Sequence, residues 1–423
     1  MRFPRAFVNS TAVLAAAFSC SLPLAAGARP MRAADGIRWE PYETTGADGR
    51  PLAGELGRLR VPEDRAEPDG ATVEIALVRF RSTNPEPGPP IFFLAGGPGG
   101  SGVEGCVGPA TGRMVRLIEY GDVIGIEQRG TGRSVPNLAD APEFTNELPL
   151  DRPVTREDTI RATRAAIGRM VAHWRERGVD PTAYDTAASA DDVEAVRAAL
   201  GEERIVLWGA SYGTHLGLAY LRRHPGRTER AVLFRVEGPD HTFKLPSAVQ
   251  ARLEGLHRLV AADAEAARGV PDFMGSVRSL LARLAEEPVE IAVTARDGAP
   301  ATIVCGPYDL QMALAGLLDT REGLGHAPLF VRGLLDGDWS ILGELALDHR
   351  RGPLPSAMTL WMDCASGASA ERRARIEREA RDPANLLSDA MDGFHVTGCD
   401  DGGAGDAGDA FRGPLQSDAR VLF

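Results

Sequence analysis

The chain has 423 residues, of which 43% are hydrophobic and 25% charged. That length suits one large domain with an insertion, or two domains, and the composition excludes wholesale disorder and a fibrous protein. A net charge of −12 repels phosphate backbones, so no nucleic-acid partner is expected.

The first residues carry Arg2 and Arg5, then an uncharged, mostly apolar run from Thr11 to Ala26, then Ala26-Gly27-Ala28. This is the pattern of a secretory signal over 1–28, and it predicts export to the periplasm or the extracellular space. No later stretch is long and apolar enough to predict a membrane span. Residues 29–240 read as an α/β core. Glu55–Val61 and Thr72–Phe80 are β-like runs, and Ile91–Leu94 is a short buried-strand candidate running into a glycine loop. Asp122–Ile126 is another strand, and apolar residues recur at helical spacing between Thr155 and Leu200. Arg204–Trp208 predicts a strand, Tyr212–His224 a helix stopped by Pro225-Gly226, and Arg230–Phe234 a further strand. Strands alternating with helices imply a mostly parallel sheet covered on both faces.

Residues 241–385 read differently. They predict a mostly helical insertion containing one hairpin, Val289–Cys305, that turns at Asp297-Gly298. Residues 386–423 lead back to the core. Asp400–Asp409 is expected to be a flexible acidic loop, and Arg420–Phe423 to begin a new strand.

Three motifs carry chemistry. Gly209-Ala210-Ser211-Tyr212-Gly213 fits GxSxG, in which a strand turns sharply into a helix and exposes a serine at the apex. The pattern alone also fits a plain Gly-Ser turn; the strand before it and the helical run after it favour the nucleophile. Ala95-Gly96-Gly97-Pro98-Gly99-Gly100-Ser101-Gly102 follows a strand directly. Its N–H groups, from Gly96 and Gly97, could stabilise an oxyanion together with the N–H of Tyr212. A phosphate loop is the competing reading, and it fails because no GK[ST] follows. Glu127-Gln128-Arg129-Gly130-Thr131-Gly132-Arg133-Ser134 is an ordinary polar loop on its own, and its position in the chain gives it weight.

Beyond the signal four cysteines remain, Cys106, Cys305, Cys364 and Cys399. An exported chain permits two disulfides in three possible pairings. They form no CxxC pair and only His395 lies near one, so no metal site and no cofactor are expected.

FFLAGGPGGSG, DVIGIEQRGTGRS and WGASYGTHLGLAYLRRHP, in that order, resemble the α/β-hydrolase fold. More narrowly they are similar to the proline iminopeptidase and tripeptidyl aminopeptidase family of serine peptidases. The resemblance covers about residues 50–240 well and continues weakly through 241–385, where that family carries a helical cap. It implies that Cys364 and Cys399 form a disulfide, which leaves Cys106 and Cys305 to each other. Two departures point away from a strict proline iminopeptidase: Ala95 stands where the family usually has His, and Glu127 where it usually has Asp.

A serine hydroxyl needs a base and the base an orienting carboxylate. In the resembling family both follow the cap, and PLQSDARVLF looks like the entry to the first of the strands that carry them. The expectation is therefore a truncated chain, lacking the last strands and helices and weak in activity. Asp240, after the strand 230–234, is the candidate for an alternate acid. The resemblance implies an aminopeptidase-like serine hydrolase acting through acyl-Ser211 on a peptide. An esterase acting on a small ester, and an inactive fragment, are the alternatives. The oligomeric state is left open.

Overall fold

The computed structural model describes residues 36–46, 49–107, 115–392, 399 and 402–423. The expected signal over 1–28 lies outside the described residues. The elements run β1 (Ile37–Thr45), β2 (Pro51–Pro62), β3 (Thr72–Phe80), β4 (Ile91–Leu94), α1 (Gly102–Val107), β5 (Val123–Ile126), α2 (Arg156–Arg175) and α3 (Thr186–Ala199). Then come β6 (Ile205–Ala210), α4 (Tyr212–Arg223), β7 (Thr228–Phe234) and the helices α5 (Pro246–Ala262), α6 (Ala264–Gly269) and α7 (Phe273–Glu286). The hairpin β8 (Val289–Thr294) and β9 (Pro300–Cys305) leads to α8 (Pro307–Asp319), α9 (Arg321–Leu335) and α10 (Ser340–Arg351). After these follow α11 (Ala357–Ser366), α12 (Ala370–Ala380), α13 (Ser388–Asp392), a short helix Asp409–Arg412 and β10 (Arg420–Leu422).

Eight strands form one sheet in the order β1-β2-β3-β5-β4-β6-β7-β10. β1, β2 and β3 pair antiparallel, as do β3 and β5; from β5 through β10 every pairing is parallel. The central strands are apolar on both faces, and all four residues of β4 are buried. A strand covered by helices on both sides needs that pattern. β1 was not expected. It is polar and contains Pro41, and it occupies the sheet edge, where a proline is tolerated. α2 begins at Thr155, whose hydroxyl accepts from the Asp158 N–H while the Asp158 carboxylate accepts from the Thr155 N–H.

The expected hairpin forms, with Gly298 at φ +85 in its turn. The 241–385 stretch does not pack as one body. Side chains from α5 to α10 and the hairpin make a separate apolar cluster, in which Leu253, Val277, Ile303, Leu314 and Leu342 are buried. Met358, Leu360, Trp361 and Met362 of α11 instead join the main core with Leu207, Tyr212 and Leu216. α11 therefore belongs to the core that packs against the large sheet. Part of the expected acidic loop is held in place, since the Ala407 N–H donates to the Ala365 carbonyl at 2.9 Å.

Cys364 and Cys399 form a disulfide with Cα atoms 5.0 Å apart. The expected pairing of Cys106 with Cys305 does not occur. Both are free and buried, in separate apolar clusters: Cys106 lies under the sheet with Val103 and Phe93, while Cys305 ends β9. No helix among the described residues is long and apolar enough to cross a membrane.

Candidate active site

β6 and α4 meet at Ser211, a non-glycine residue at φ +54, ψ −126. Such a backbone costs on the order of 1–3 kcal/mol and persists only where its surroundings enforce it. Here they do. The Ser211 N–H donates to the Phe234 carbonyl at 3.2 Å, and its own carbonyl accepts from the Thr214 N–H at 2.8 Å and the Thr214 hydroxyl at 2.7 Å. The motif glycines permit the crowding. A Cβ on Gly213 would stand 2.0 Å from the Leu94 carbonyl oxygen, and one on Gly209 2.5 Å from that of Gly213.

The glycine loop after β4 lies against this bend. A Cβ on Gly96 would stand 2.9 Å from the Ala210 carbonyl oxygen and 3.2 Å from the Ser211 Cβ. The loop closes through the Gly100 N–H, which donates to the Gly96 carbonyl at 3.0 Å. The N–H groups of Gly96 and Gly97 donate to no described residue, and Tyr212 supplies the first N–H of α4, which has no acceptor within its own helix. Of the expected donors, Gly96 and Tyr212 are thus placed next to Ser211.

The polar segment after β5 holds the loop at both ends. The Gln128 side-chain amide donates to the Ala95 carbonyl at 3.1 Å. The buried Glu127 carboxylate accepts from the Ser101 hydroxyl at 2.7 Å and the Gly102 N–H at 2.8 Å. Burial raises its pKa, and these hydrogen bonds oppose the shift. Arg129 anchors the same segment from behind: its buried guanidinium pairs with both Asp192 oxygens, at 2.8 and 2.9 Å, and donates to the Glu63 and Ala183 carbonyls.

Residues 89–276 match the family model described as the alpha/beta hydrolase fold. The chain has the α/β-hydrolase fold. The serine protease Hip1 of Mycobacterium tuberculosis (strain ATCC 25618 / H37Rv) is 32% identical to this chain over 207 residues, 47% of this chain and 39% of that protein. The tripeptidyl aminopeptidase of Streptomyces coelicolor is 30% identical over 221 residues, 51% of this chain and 40% of that one. The chain therefore covers about two fifths of the length of these relatives. A solved proline iminopeptidase from Mycobacterium smegmatis matches at 16% identity with a TM-score of 0.30, over 72% of this chain and 77% of that one.

The candidate alternate acid is engaged by another residue. Both Asp240 oxygens are engaged at 2.7 Å by the N–H and hydroxyl of Ser369, which caps α12. His215 is buried, with Nδ1 3.2 Å from the Gly238 carbonyl and Nε2 3.1 Å from the Ser366 hydroxyl. Burial is the main cause lowering its pKa. His224 meets Asp191 at 2.9 Å, and His395 lies outside the described residues. The Ser211 hydroxyl makes no hydrogen bond with any described residue.

The sequence predicts α11 as part of a helical stretch but does not place it at the site. Its Thr359 hydroxyl donates to the Pro98 carbonyl at 2.8 Å, and its Met362 sulfur accepts from the Tyr212 hydroxyl at 3.4 Å. Ser366 continues a buried chain, 3.0 Å from the Thr186 hydroxyl, which is 2.9 Å from that of Tyr212. Asp363 is buried on the same helix, and burial, reinforced by Glu237, pushes its pKa up to about 8. These residues lie some 150 positions after Ser211, in a stretch whose sequence signals were a helical pattern and Cys364.

Proposed function

We propose that this chain is a serine hydrolase of peptidase type, acting through an acyl intermediate on Ser211. The observation that carries the reading is the contact between Gly96 and the strained Ser211 bend. It supports a site in which the Gly96 N–H, with no acceptor among the described residues, lies near a hydroxyl that bonds to none of them. In the reaction Ser211 Oγ would bond to a substrate carbonyl carbon while its proton passes to a base. The carbonyl oxygen, now anionic, would take the N–H groups of Gly96 or Gly97 and of Tyr212. Collapse of that intermediate would expel an amine or an alcohol, and water would then release the acid. The peptidase names of the relatives support an amide substrate with a free N-terminus.

No described residue stands ready as the base. Removing a triad base costs on the order of 10⁴- to 10⁶-fold in rate, so slow chemistry is expected of this chain. A leaving group that needs no protonation should react first. The test is a fluorophosphonate probe, mapped by mass spectrometry, beside hydrolysis of p-nitrophenyl esters and of tripeptide p-nitroanilides. Slow labelling confined to Ser211, with ester hydrolysed ahead of anilide and both lost in Ser211→Ala, supports the reading. Folded protein that reacts at other residues and leaves Ser211 untouched rules it out.

A further inference from the structure

We propose that Thr359 is a positioning residue that sets which way the oxyanion loop faces, an inference that rests on the serine hydrolase reading. The loop has little of its own to hold it. Gly97 and Gly99 lie at φ +122 and +97, and its internal hydrogen bond runs from the Gly100 N–H to the Gly96 carbonyl. A peptide plane followed by glycine can turn over, exchanging the directions of its carbonyl and its N–H, because glycine accepts either sign of φ. A carbonyl turned inward would repel the anion the loop is built to receive.

The Pro98–Gly99 plane is the one at risk, and Thr359 fixes it. Its hydroxyl donates to the Pro98 carbonyl at 2.8 Å and is itself 3.1 Å from the Ser356 hydroxyl. The Pro98 oxygen is thereby held toward α11, and the Gly99 N–H points the opposite way. Contact is close on this side: a Cβ on Gly99 would stand 2.8 Å from Thr359 Oγ1. Three residues further along, Met362 meets the hydroxyl of Tyr212, which supplies the other expected donor. One helix therefore braces both halves of the oxyanion hole, from a part of the chain far from either motif.

The full chain is compared with Thr359→Val, which removes the hydroxyl and keeps the shape, and Thr359→Ser, which keeps the hydroxyl. Thr359→Ala replaces the valine variant if that one does not fold. Hydrogen exchange over residues 94–102 is read first, because it needs no turnover, with exchange over β6 as the measure of intact fold. Exchange at Gly100 should quicken roughly tenfold or more in Thr359→Val and stay parental in Thr359→Ser. Acylation of Ser211 by a p-nitrophenyl ester should fall at least about tenfold in kcat with little change in KM, and recover in Thr359→Ser. Parental exchange in Thr359→Val, or equal loss in both variants, overturns the proposal. A parent whose ester reaction is unchanged by Ser211→Ala is instead a failure of the hydrolase reading, and the exchange comparison still decides whether Thr359 holds the loop.

Discussion

Replacing Gly213 by alanine tests whether the nucleophile motif is a steric requirement. The added Cβ would lie 2.0 Å from the Leu94 carbonyl oxygen and 3.0 Å from that of Ala95. Ordinary contact begins at about 3.5 Å, so α4 must part from the end of β4 by more than about 1 Å. Nothing flexible is available to absorb this, since both contacts are backbone and Leu94 and Leu216 are fully packed. Overpacking a core costs about 1–3 kcal/mol, and the rigid surroundings place this case at about 3 kcal/mol. Ser211 lies two residues ahead on the moving element. A displacement of about 1 Å at a reacting atom costs about 10²-fold in rate, so probe labelling should fall by that factor. Gly168→Ala is the control. It sits on the exposed face of α2 with nothing within 4 Å of the added Cβ, and it should gain about 0.5–1 kcal/mol from helix propensity. Urea unfolding of both variants supplies the measurement. A Gly213→Ala protein within about 0.5 kcal/mol of the parent, the range of neutral surface changes, would refute the steric argument.

Two further outcomes follow from buried charge. Asp363 carries a proton in the folded state up to about pH 8, chiefly because it is buried, but loses it near pH 4 when unfolded. The folded state thus binds more protons between those values, and stability falls as pH rises through that window, by at most about 1.4 kcal/mol per pH unit. Asp363→Asn should lack this component, so its stability relative to the parent should rise from pH 4 to pH 8; a constant difference across that range would show that Asp363 does not titrate there. In the second apolar cluster Arg350 and Asp309 are fully buried, joined by three contacts of 2.7–3.0 Å, and Arg350 also donates to the Pro149 and Val304 carbonyls. Asp309→Ala strands a guanidinium out of water and should cost about 3–5 kcal/mol. Replacing both residues by apolar ones of similar size should cost less, as urea unfolding of the three proteins can show.

The sharp bend at Ser211 and the glycine loop against it were legible in the sequence. Ser211, Gly96 and Gly97 stand in motifs because a sharp bend and a close backbone approach exclude most other residues. The strands β3, β4 and β6 declared themselves by apolar runs. β1 did not, because an edge strand half in water needs no apolar face, and Glu40, Pro41 and Glu43 interrupt any apolar run. α11 was legible as helix, but not as core. Its apolar residues would serve equally well in the second cluster, and only the fold decides that Met358 and Trp361 pack beneath the nucleophile. The Cys106–Cys305 pairing failed for the same reason: elimination counts thiols but cannot see that the two lie in different clusters.

What joins these observations is the weakness of a glycine loop. Free N–H groups are useful to an oxyanion because nothing else takes them, and a segment that leaves its donors free has few bonds with which to hold its own shape. The restraint must come from outside it. Here Gln128 and Glu127 grip the two ends, the Ser211 bend closes one side and Thr359 takes the Pro98 carbonyl on the other. These grips come from three separate stretches of chain, and each leaves the N–H groups of Gly96 and Gly97 untouched. The long polar segment 127–134 is then explained without any contact to substrate. Its buried Arg129–Asp192 pair fixes Glu127 and Gln128, and those two residues fix the loop. A change at Arg129 should therefore act on Ser211 chemistry through the loop even though Arg129 itself faces away from the reacting hydroxyl.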